Sequence, residues 1–231
     1  MTTLLLIRHG QASFGTGDYD RLCERGIAQS RALGLSLRRE ERRIDGAVTG
    51  TLNRQSATAR HTLEAAGLAP PLVTDPAFDE YPSDGLFAAY LPLAARRDPA
   101  LGGCVEDLRA DRPRFQRALM AVMDLWQAGV DGFAGESWLA FRARVCAGLE
   151  TAVAGRGPAD TVAVFTSGGV IGTAVAAVLK APDATALALS WRVFNASVSE
   201  IHYGRRGFAL GGFNDASHLR RAEDGELLTH R

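Results

Sequence analysis

A short apolar segment near the start of the chain constrains the fold most strongly. Residues 4–7 read LLLI, and Arg8, His9 and Gly10 follow at once. An uninterrupted apolar run of this length is typical of a strand that is buried on both faces, as in the sheets of α/β proteins. Such sheets bind ligands at the carboxyl ends of their strands. The polar residues after position 7 are therefore predicted to lie where chemistry occurs.

Further strands are predicted wherever a short apolar or alternating segment is bounded by turn residues. They cover residues 45–49, 72–74, 161–166, 198–203 and 208–213. The last two flank a Gly-Arg-Arg-Gly turn and are expected to be antiparallel neighbours. Segments with helical spacing lie between the others, beginning near residues 24, 52 and 170.

The middle of the chain has a different pattern. Residues 83–155 are helical in composition, and Trp126 and Trp138 fall at helical spacing with other apolar residues. Helical spacing alone accounts for these tryptophans, so they are expected in a core. We predict one domain, residues 1–231, that carries a helical cap inserted at about 83–155.

The charge balance argues against nucleic acid and membranes as partners, and the cysteines argue against a disulfide framework or a metal cluster. The 26 basic side chains balance the 26 acidic ones, so no global field attracts nucleic acid or an anionic membrane. The three cysteines, Cys23, Cys104 and Cys146, are odd in number and far apart, which fits neither a disulfide framework nor a metal cluster. Neither the start of the chain nor residues 170–191 is predicted to be a signal or membrane segment. A soluble, cytoplasmic protein is expected.

His9 and Arg8 are the first candidates for chemistry. A neutral imidazole is a nucleophile, and a guanidinium offers a planar set of donors that matches a phosphate group. Arg54, at the start of a predicted helix, is also well placed for an anion. Each residue also has an ordinary interpretation, as a polar strand end or a solvated helix arginine, and the tripeptide alone is a weak signal.

A second anion-binding turn is predicted after strand 161–166. Ser167, Gly168 and Gly169 open an apolar helix, and the first backbone N–H groups of a helix attract anions. This turn is not a P-loop, because no Lys-Ser/Thr pair follows the glycines, and it lacks the spacing of a dinucleotide fingerprint.

The sequence resembles the histidine phosphatase superfamily, which has the phosphoglycerate mutase-like fold. The resemblance is carried by segments that follow one another in the same order: 8–11 (RHGQ), 22–29 (LCERGIAQ), 51–59 (TLNRQSATA), 165–171 (FTSGGVI), 195–198 (NASV) and 214–219 (NDASHL). It implies an α/β three-layer sandwich, with a mixed, mostly parallel sheet and helices on both faces. It also implies that neither a metal nor an organic cofactor is used.

The resemblance assigns roles to individual residues. It implies that His9 becomes phosphohistidine and that Arg8 and Arg54 bind the transferred phosphoryl group, with Gln11 of the same motif also a phosphate ligand. Glu80 is the best positional match to the family's proton donor. Asp79 is the alternative.

Two positions depart from the family pattern. Ser167 stands where a second histidine is usual; its hydroxyl is predicted to bind phosphate as a weaker, neutral donor. Gly15 stands where cofactor-dependent mutases carry asparagine. We therefore expect a phosphatase that acts on a small phosphorylated metabolite. A phosphate-binding module with little turnover is the alternative, and a phosphomutase is less favoured.

The remaining histidines and the polar tail complete the expectations. His61, His202, His218 and His230 lack metal-ligand spacing and are interpreted as surface or structural residues. The tail after residue 220 is expected to fray. The sequence leaves a homodimer open.

Overall fold

The computed structural model describes residues 1–13, 20–103, 108, 110–220 and 227–230. Within them the six predicted strands are all present and form one sheet in the order β3-β2-β4-β1-β5-β6. They are β1 Thr2–Arg8, β2 Gly46–Thr49, β3 Leu72–Thr74, β4 Thr161–Thr166, β5 Val198–Gly204 and β6 Gly207–Asp215.

The sheet is mixed and mostly parallel. β1 pairs in parallel with β4, β4 with β2, and β2 with β3. β5 runs antiparallel to β1, and β6 antiparallel to β5, which confirms the predicted closing hairpin. Because β1, β2 and β4 point the same way, the residues that follow them meet at one edge. The register of β1 and β4 aligns the carboxyl ends of these two strands, since Arg8 lies opposite Thr166.

Eight helices are found in the described part of the chain. They are α1 Glu24–Arg39, α2 Asn53–Ala66, α3 Ser83–Arg97, α4 Arg112–Gln127, α5 Trp138–Val153, α6 Gly168–Val178, α7 Asp183–Ser190 and α8 Ser217–Arg220, with short 3-10 turns at Pro76–Phe78 and Pro99–Leu101. The α/β fold class predicted from the sequence is confirmed.

The central strand is buried on both sides because its apolar side chains alternate between two layers. Leu5 and Ile7 share a core with apolar residues of α1 and α2. Leu4 and Leu6, on the opposite face, are also inaccessible to solvent. α6 contacts β1 and is buried from Gly168 to Ala176. The two layers of helices hold the carboxyl edge of the sheet in place.

The chain divides into two compact units. The first comprises Met1–Glu80 with Val145–Arg231, and the second comprises Tyr81–Arg144. In the second unit Trp126 packs against Trp138 and Phe141, with ring centroids 5.3 and 5.6 Å away. The two tryptophans are therefore core residues, as expected. That residues 83–155 act as a cap stays a prediction.

None of the helices in the described residues is long and apolar enough to cross a membrane.

Candidate active site

His9 follows the last residue of β1 and is only 5% exposed. Its Nδ1 lies 2.7 Å from the carbonyl oxygen of Gly10. A carbonyl can only accept, so Nδ1 carries the proton and Nε2 keeps its lone pair. Nε2 accepts a hydrogen bond from Nε of Arg54 at 3.2 Å. The ring is therefore neutral, with its nucleophilic nitrogen facing a cation.

The electrostatic environment keeps this imidazole unprotonated. Burial is the main reason that the pKa of His9 lies well below its ordinary value of 6.5, and the charges of Arg54 and Arg8 lower it further. The hydrogen bond to Gly10 opposes them but is the weakest influence. A histidine in this position is available as a nucleophile even in mildly acidic solution.

Arg54 is the second residue of α2 and is 8% exposed. Its Nη1 pairs with Oδ1 of Asp20 at 2.8 Å, while Oδ2 of the same carboxylate accepts from the backbone N–H of Asn53 at 2.8 Å. Asp20 thus binds the guanidinium and the start of the helix together. No pattern in the sequence singles out Asp20, which lies in a loop 34 positions before Arg54.

Arg8 approaches the pocket from the end of β1. Its Nη1 donates to the carbonyl oxygens of Val193 and His230, the latter at 2.9 Å. Its Nε is close to the turn after β4, because a Cβ built on Gly168 would lie 3.6 Å from it. Arg8 therefore lies close to the turn after β4, and Arg54 contacts His9 directly after β1. That the two cations bind phosphate stays a prediction.

Ser167 occupies the N-cap position of α6, but its side chain makes no capping hydrogen bond to the helix. The residue is 0% exposed, and its Oγ accepts a hydrogen bond from Nε2 of Gln55 at 2.9 Å. Direct contact with a phosphoryl group would require Ser167 or its neighbours to move. Its proposed role as a phosphate ligand stays a prediction.

The two carboxylates at positions 79 and 80 are held differently. Oε2 of Glu80 accepts from the backbone N–H of Gly169, in the first turn of α6, at 3.0 Å. Both oxygens of Asp79 bind Thr51, one its N–H and the other its hydroxyl, each at 2.6 Å. Asp79 thereby fixes the turn after β2, whereas Glu80 lies at the Ser167 turn. This placement favours Glu80 as the acid.

Gly10 and Gln11 lie directly after His9. The N–H of Gln11 donates to Oε1 of Gln29 at 2.8 Å, and its own Oε1 is buried without a partner among the described residues. The backbone closest to Gly10 belongs to Gly26 in α1. A Cβ on Gly10 would lie 2.4 Å from the oxygen of Gly26, and one on Gly26 would lie 2.2 Å from that of Gln11.

The expected fraying after residue 220 is wrong for residues 227–230. The N–H of Asn195 donates to the carbonyl of Thr229 at 2.8 Å, and the ring of His230 lies 4.2 Å from that of Phe194. Asn195 also donates through Nδ2 to the carbonyl oxygen of His9 at 3.2 Å. Backbone hydrogen bonds, which composition does not reveal, hold this segment beside His9.

Sequence reasoning therefore placed Arg8, His9, Arg54 and the turn at Ser167 together, and the structure brings these elements to one edge. It missed the polar side chains that connect them, chiefly Asp20, Gln55 and Asn195. Gly15, the departure that weighs against a mutase, lies outside the described residues. Among those residues, no group of three or more His, Cys, Asp or Glu side chains is placed to hold a metal ion.

Comparison with known proteins gives a consistent result. A family model described as "Histidine phosphatase superfamily (branch 1)" matches residues 4–84 and 101–216. A 2,3-bisphosphoglycerate-dependent phosphoglycerate mutase of Mesorhizobium japonicum is 38% identical over 72 residues, which cover 28% of this chain and 34% of the mutase. The chain therefore matches only about a third of that relative's length.

Two solved structures share the fold over most of both chains. YhfR of Bacillus stearothermophilus has a TM-score of 0.67 and 23% identity, covering 95% of this chain and 100% of that one. A mycobacterial glucosyl-3-phosphoglycerate phosphatase, solved as a complex with VO3, has a TM-score of 0.64 and 24% identity, covering 93% and 99%.

Proposed function

This chain belongs to the histidine phosphatase superfamily (branch 1), and from that premise we propose that it hydrolyses phosphate monoesters of small metabolites through a phosphohistidine at His9. The observation that carries the proposal is the state of the His9 ring. Its Nδ1 is bound to the Gly10 carbonyl, and its Nε2 lone pair faces the Arg54 guanidinium. A nucleophile and an anion-binding donor are thus in contact.

In the first step Nε2 of His9 attacks phosphorus, and the bond from phosphorus to the ester oxygen breaks. Arg54 turns its Nε donor from the imidazole to the phosphoryl oxygens, and Arg8 binds the same group. Cationic donors around a transferred phosphoryl group are the main source of catalysis in such reactions. Glu80 gives its proton to the departing oxygen.

In the second step a water attacks the phosphohistidine, the P–N bond breaks, and Glu80 takes the proton of that water. The same carboxyl group therefore acts first as an acid and then as a base. Its hydrogen bond to Gly169 holds one carboxyl oxygen at the first turn of α6.

Two alternative functions, a phosphomutase and a phosphate-binding module, are each favoured by one observation. The similarity to a phosphoglycerate mutase over 72 residues favours transfer to a second substrate instead of water. The buried Ser167 hydroxyl favours a phosphate-binding module with little turnover, since one phosphoryl donor is withdrawn. The mycobacterial structure named as a phosphatase supports hydrolysis.

The decisive experiment measures phosphate release from 4-nitrophenyl phosphate by the wild type and by His9→Ala. We expect release by the wild type only, and a rapid quench with labelled substrate should find label on His9 that is stable in alkali and labile in acid. Label without phosphate release would indicate a mutase if an added phosphorylated acceptor collects it. If the protein binds phosphate but no label appears on His9, the result would indicate a phosphate-binding module with little turnover.

Compartment and partners belong to the same proposal. We propose a reducing, cytoplasmic location, supported by the free thiol of Cys23 and by the odd number and wide spacing of the three cysteines; Cys104 lies outside the described residues. The proposed partner is a small phosphorylated substrate, with neither nucleic acid nor a membrane involved, and a homodimer is left open.

A further inference from the structure

Gln55, the residue after Arg54 in α2, has a carboxamide that is completely buried and fully bonded. Its Nε2 donates to the carbonyl oxygen of Phe78 and to Oγ of Ser167, both at 2.9 Å. Its Oε1 accepts from the backbone N–H of Leu52 at 3.3 Å. Both amide hydrogens are therefore used, and each joins α2 to another segment at the edge of the sheet.

The Phe78 carbonyl is a fixed point for the loop that carries Glu80. Besides Gln55 it accepts from the hydroxyl of Thr166, the last residue of β4, at 2.6 Å. Phe78 is 0% exposed. Glu80 comes two residues later and reaches the N–H of Gly169. The loop is thus held at Phe78 by two buried donors and at Glu80 by the first turn of α6.

Ser167 takes part in the same network. Its hydroxyl lies where the resembled family usually has histidine, and it accepts from the same Nε2 that holds Phe78. One amide therefore sets the separation between the acid loop and the start of α6. Removing the Gln55 donor leaves the Phe78 carbonyl with the Thr166 hydroxyl as its remaining donor among the described residues, and takes a donor from the Ser167 hydroxyl. Because a buried polar group that loses its partner is costly, the loop is expected to shift if Gln55 is replaced.

We infer that Gln55 is a positioning residue for the general acid, which aims Glu80 at the leaving oxygen by holding the Phe78 carbonyl and the Ser167 hydroxyl together. The inference rests on the proposed hydrolase activity and on Glu80 as its acid. Gln55 itself touches neither substrate nor the reacting atoms.

A misplaced acid has a recognisable kinetic signature. The nitrophenolate of 4-nitrophenyl phosphate leaves without a proton, whereas an alkoxide needs one in the transition state. Loss of acid positioning should therefore slow an alkyl phosphate such as glycerol phosphate much more than 4-nitrophenyl phosphate. A general loss of folding or of phosphate binding would slow both alike.

The test compares kcat/KM of Gln55→Met on these two substrates. Methionine is similar in size and has no donor. Since proton donation contributes about a hundredfold or more, we expect a loss of roughly thirtyfold with the alkyl ester and less than about threefold with the nitrophenyl ester. Glu80→Gln should give the same pattern with a larger loss, and in that background Gln55→Met should add nothing.

Two further variants make the test independent of how well Gln55→Met folds. Thr166→Val removes the other donor to Phe78 and should give the same selective loss, though a smaller one. Thr62→Val is the matched control, because the Thr62 hydroxyl is equally buried in α2 but donates to Ser30 in α1 at 3.1 Å. It should change neither the rates nor their ratio.

Equal losses on both substrates, or a full effect of Gln55→Met in the Glu80→Gln protein, would overturn the inference. If Glu80→Gln shows no dependence on the leaving group, the acid assignment and the inference both fail. The hydrolase proposal is judged separately, by phosphate release that His9→Ala abolishes.

Discussion

The two arginines beside His9 are held in contrasting ways. Arg54 is bound by side chains, namely the Asp20 carboxylate at 2.8 Å and the His9 imidazole at 3.2 Å. Arg8 donates to the main-chain carbonyls of Val193 and His230. The position of Arg54 thus depends on single side chains, whereas that of Arg8 depends on the backbone path of distant segments. Point substitutions should therefore affect the two sides unequally.

The largest effect is expected from Arg54→Met. The variant loses a cation that faces the nucleophile and leaves the Asp20 carboxylate next to an incoming anion. We expect kcat/KM to fall about a thousandfold, corresponding to about 4 kcal/mol of transition-state stabilisation. Arg60→Met is the control, since Arg60 is exposed on the same helix and should behave like the wild type. A loss below about tenfold would contradict a direct role for Arg54.

Asp20→Asn tests whether the carboxylate orients Arg54 or merely neutralises it. Asparagine keeps the shape but loses a charge-assisted hydrogen bond, so we expect kcat to fall about tenfold. Inhibition by orthovanadate should become tighter, because one negative charge near the pocket is gone. Asp124→Asn, at an exposed position of α4, should change neither quantity. An unchanged kcat with tighter inhibition would indicate neutralisation alone.

A smaller effect is expected on the Arg8 side from Thr229→Val. The Thr229 hydroxyl donates to Oδ1 of Asn195 at 3.0 Å and accepts from Gln29 at 2.8 Å. Losing these bonds should loosen the segment whose His230 carbonyl binds Arg8, at a cost of about 1 kcal/mol or about a fivefold fall in kcat/KM. Thr151→Val, at an exposed position of α5, is the control. If Thr229→Val equals Arg54→Met in effect, the contrast between the two sides is wrong.

The smallest effect concerns pH. His9 has a pKa well below 6.5 in the folded protein because it is buried, and the pKa of His218 is lowered for the same main reason. The unfolded chain therefore binds more protons below about pH 6.5, so the free energy of unfolding falls as the pH decreases from there towards the folded pKa values. For each such histidine the decline is at most about 1.4 kcal/mol per pH unit.

Two measurements check this prediction. Denaturant unfolding of His218→Gln should show a shallower decline between about pH 6.5 and 5 than that of the wild type. The NMR signal of the His9 ring should titrate well below 6.5. In an Arg54→Met protein the His9 midpoint should rise but stay depressed, because burial is the larger cause. A wild-type midpoint near 6.5 would contradict the buried, neutral ring.

The sequence predicted the fold and the meeting of His9, Arg54 and the Ser167 turn at one edge of the sheet, because both depend on local patterns. His9 and Ser167 directly follow apolar strands, and Arg54 lies at the start of the helix after another, so the parallel topology brings them together. Asp20 could not be found in this way, since a loop carboxylate gives no sign of which helix it will meet.

The sequence does contain a signal for Gln55. This residue lies at helical spacing before Ala59, Leu63 and Ala66, all of them buried in α2. A polar residue on an apolar helix face must find partners inside the protein, which marks it as part of a network.

The contact between Gly10 and Gly26 sets a limit for anyone who wishes to redesign this enzyme. A Cβ on Gly10 would lie 2.4 Å from the oxygen of Gly26, and a Cβ on Gly26 would lie 2.2 Å from the oxygen of Gln11. Both are backbone atoms, which cannot move aside as the end of a flexible side chain can. A mutation of either glycine cannot be rescued by shortening a neighbouring side chain, because the colliding atoms are backbone oxygens of Gly26 and Gln11. Directed-evolution libraries that seek a new substrate range should therefore keep both glycines and randomise other positions.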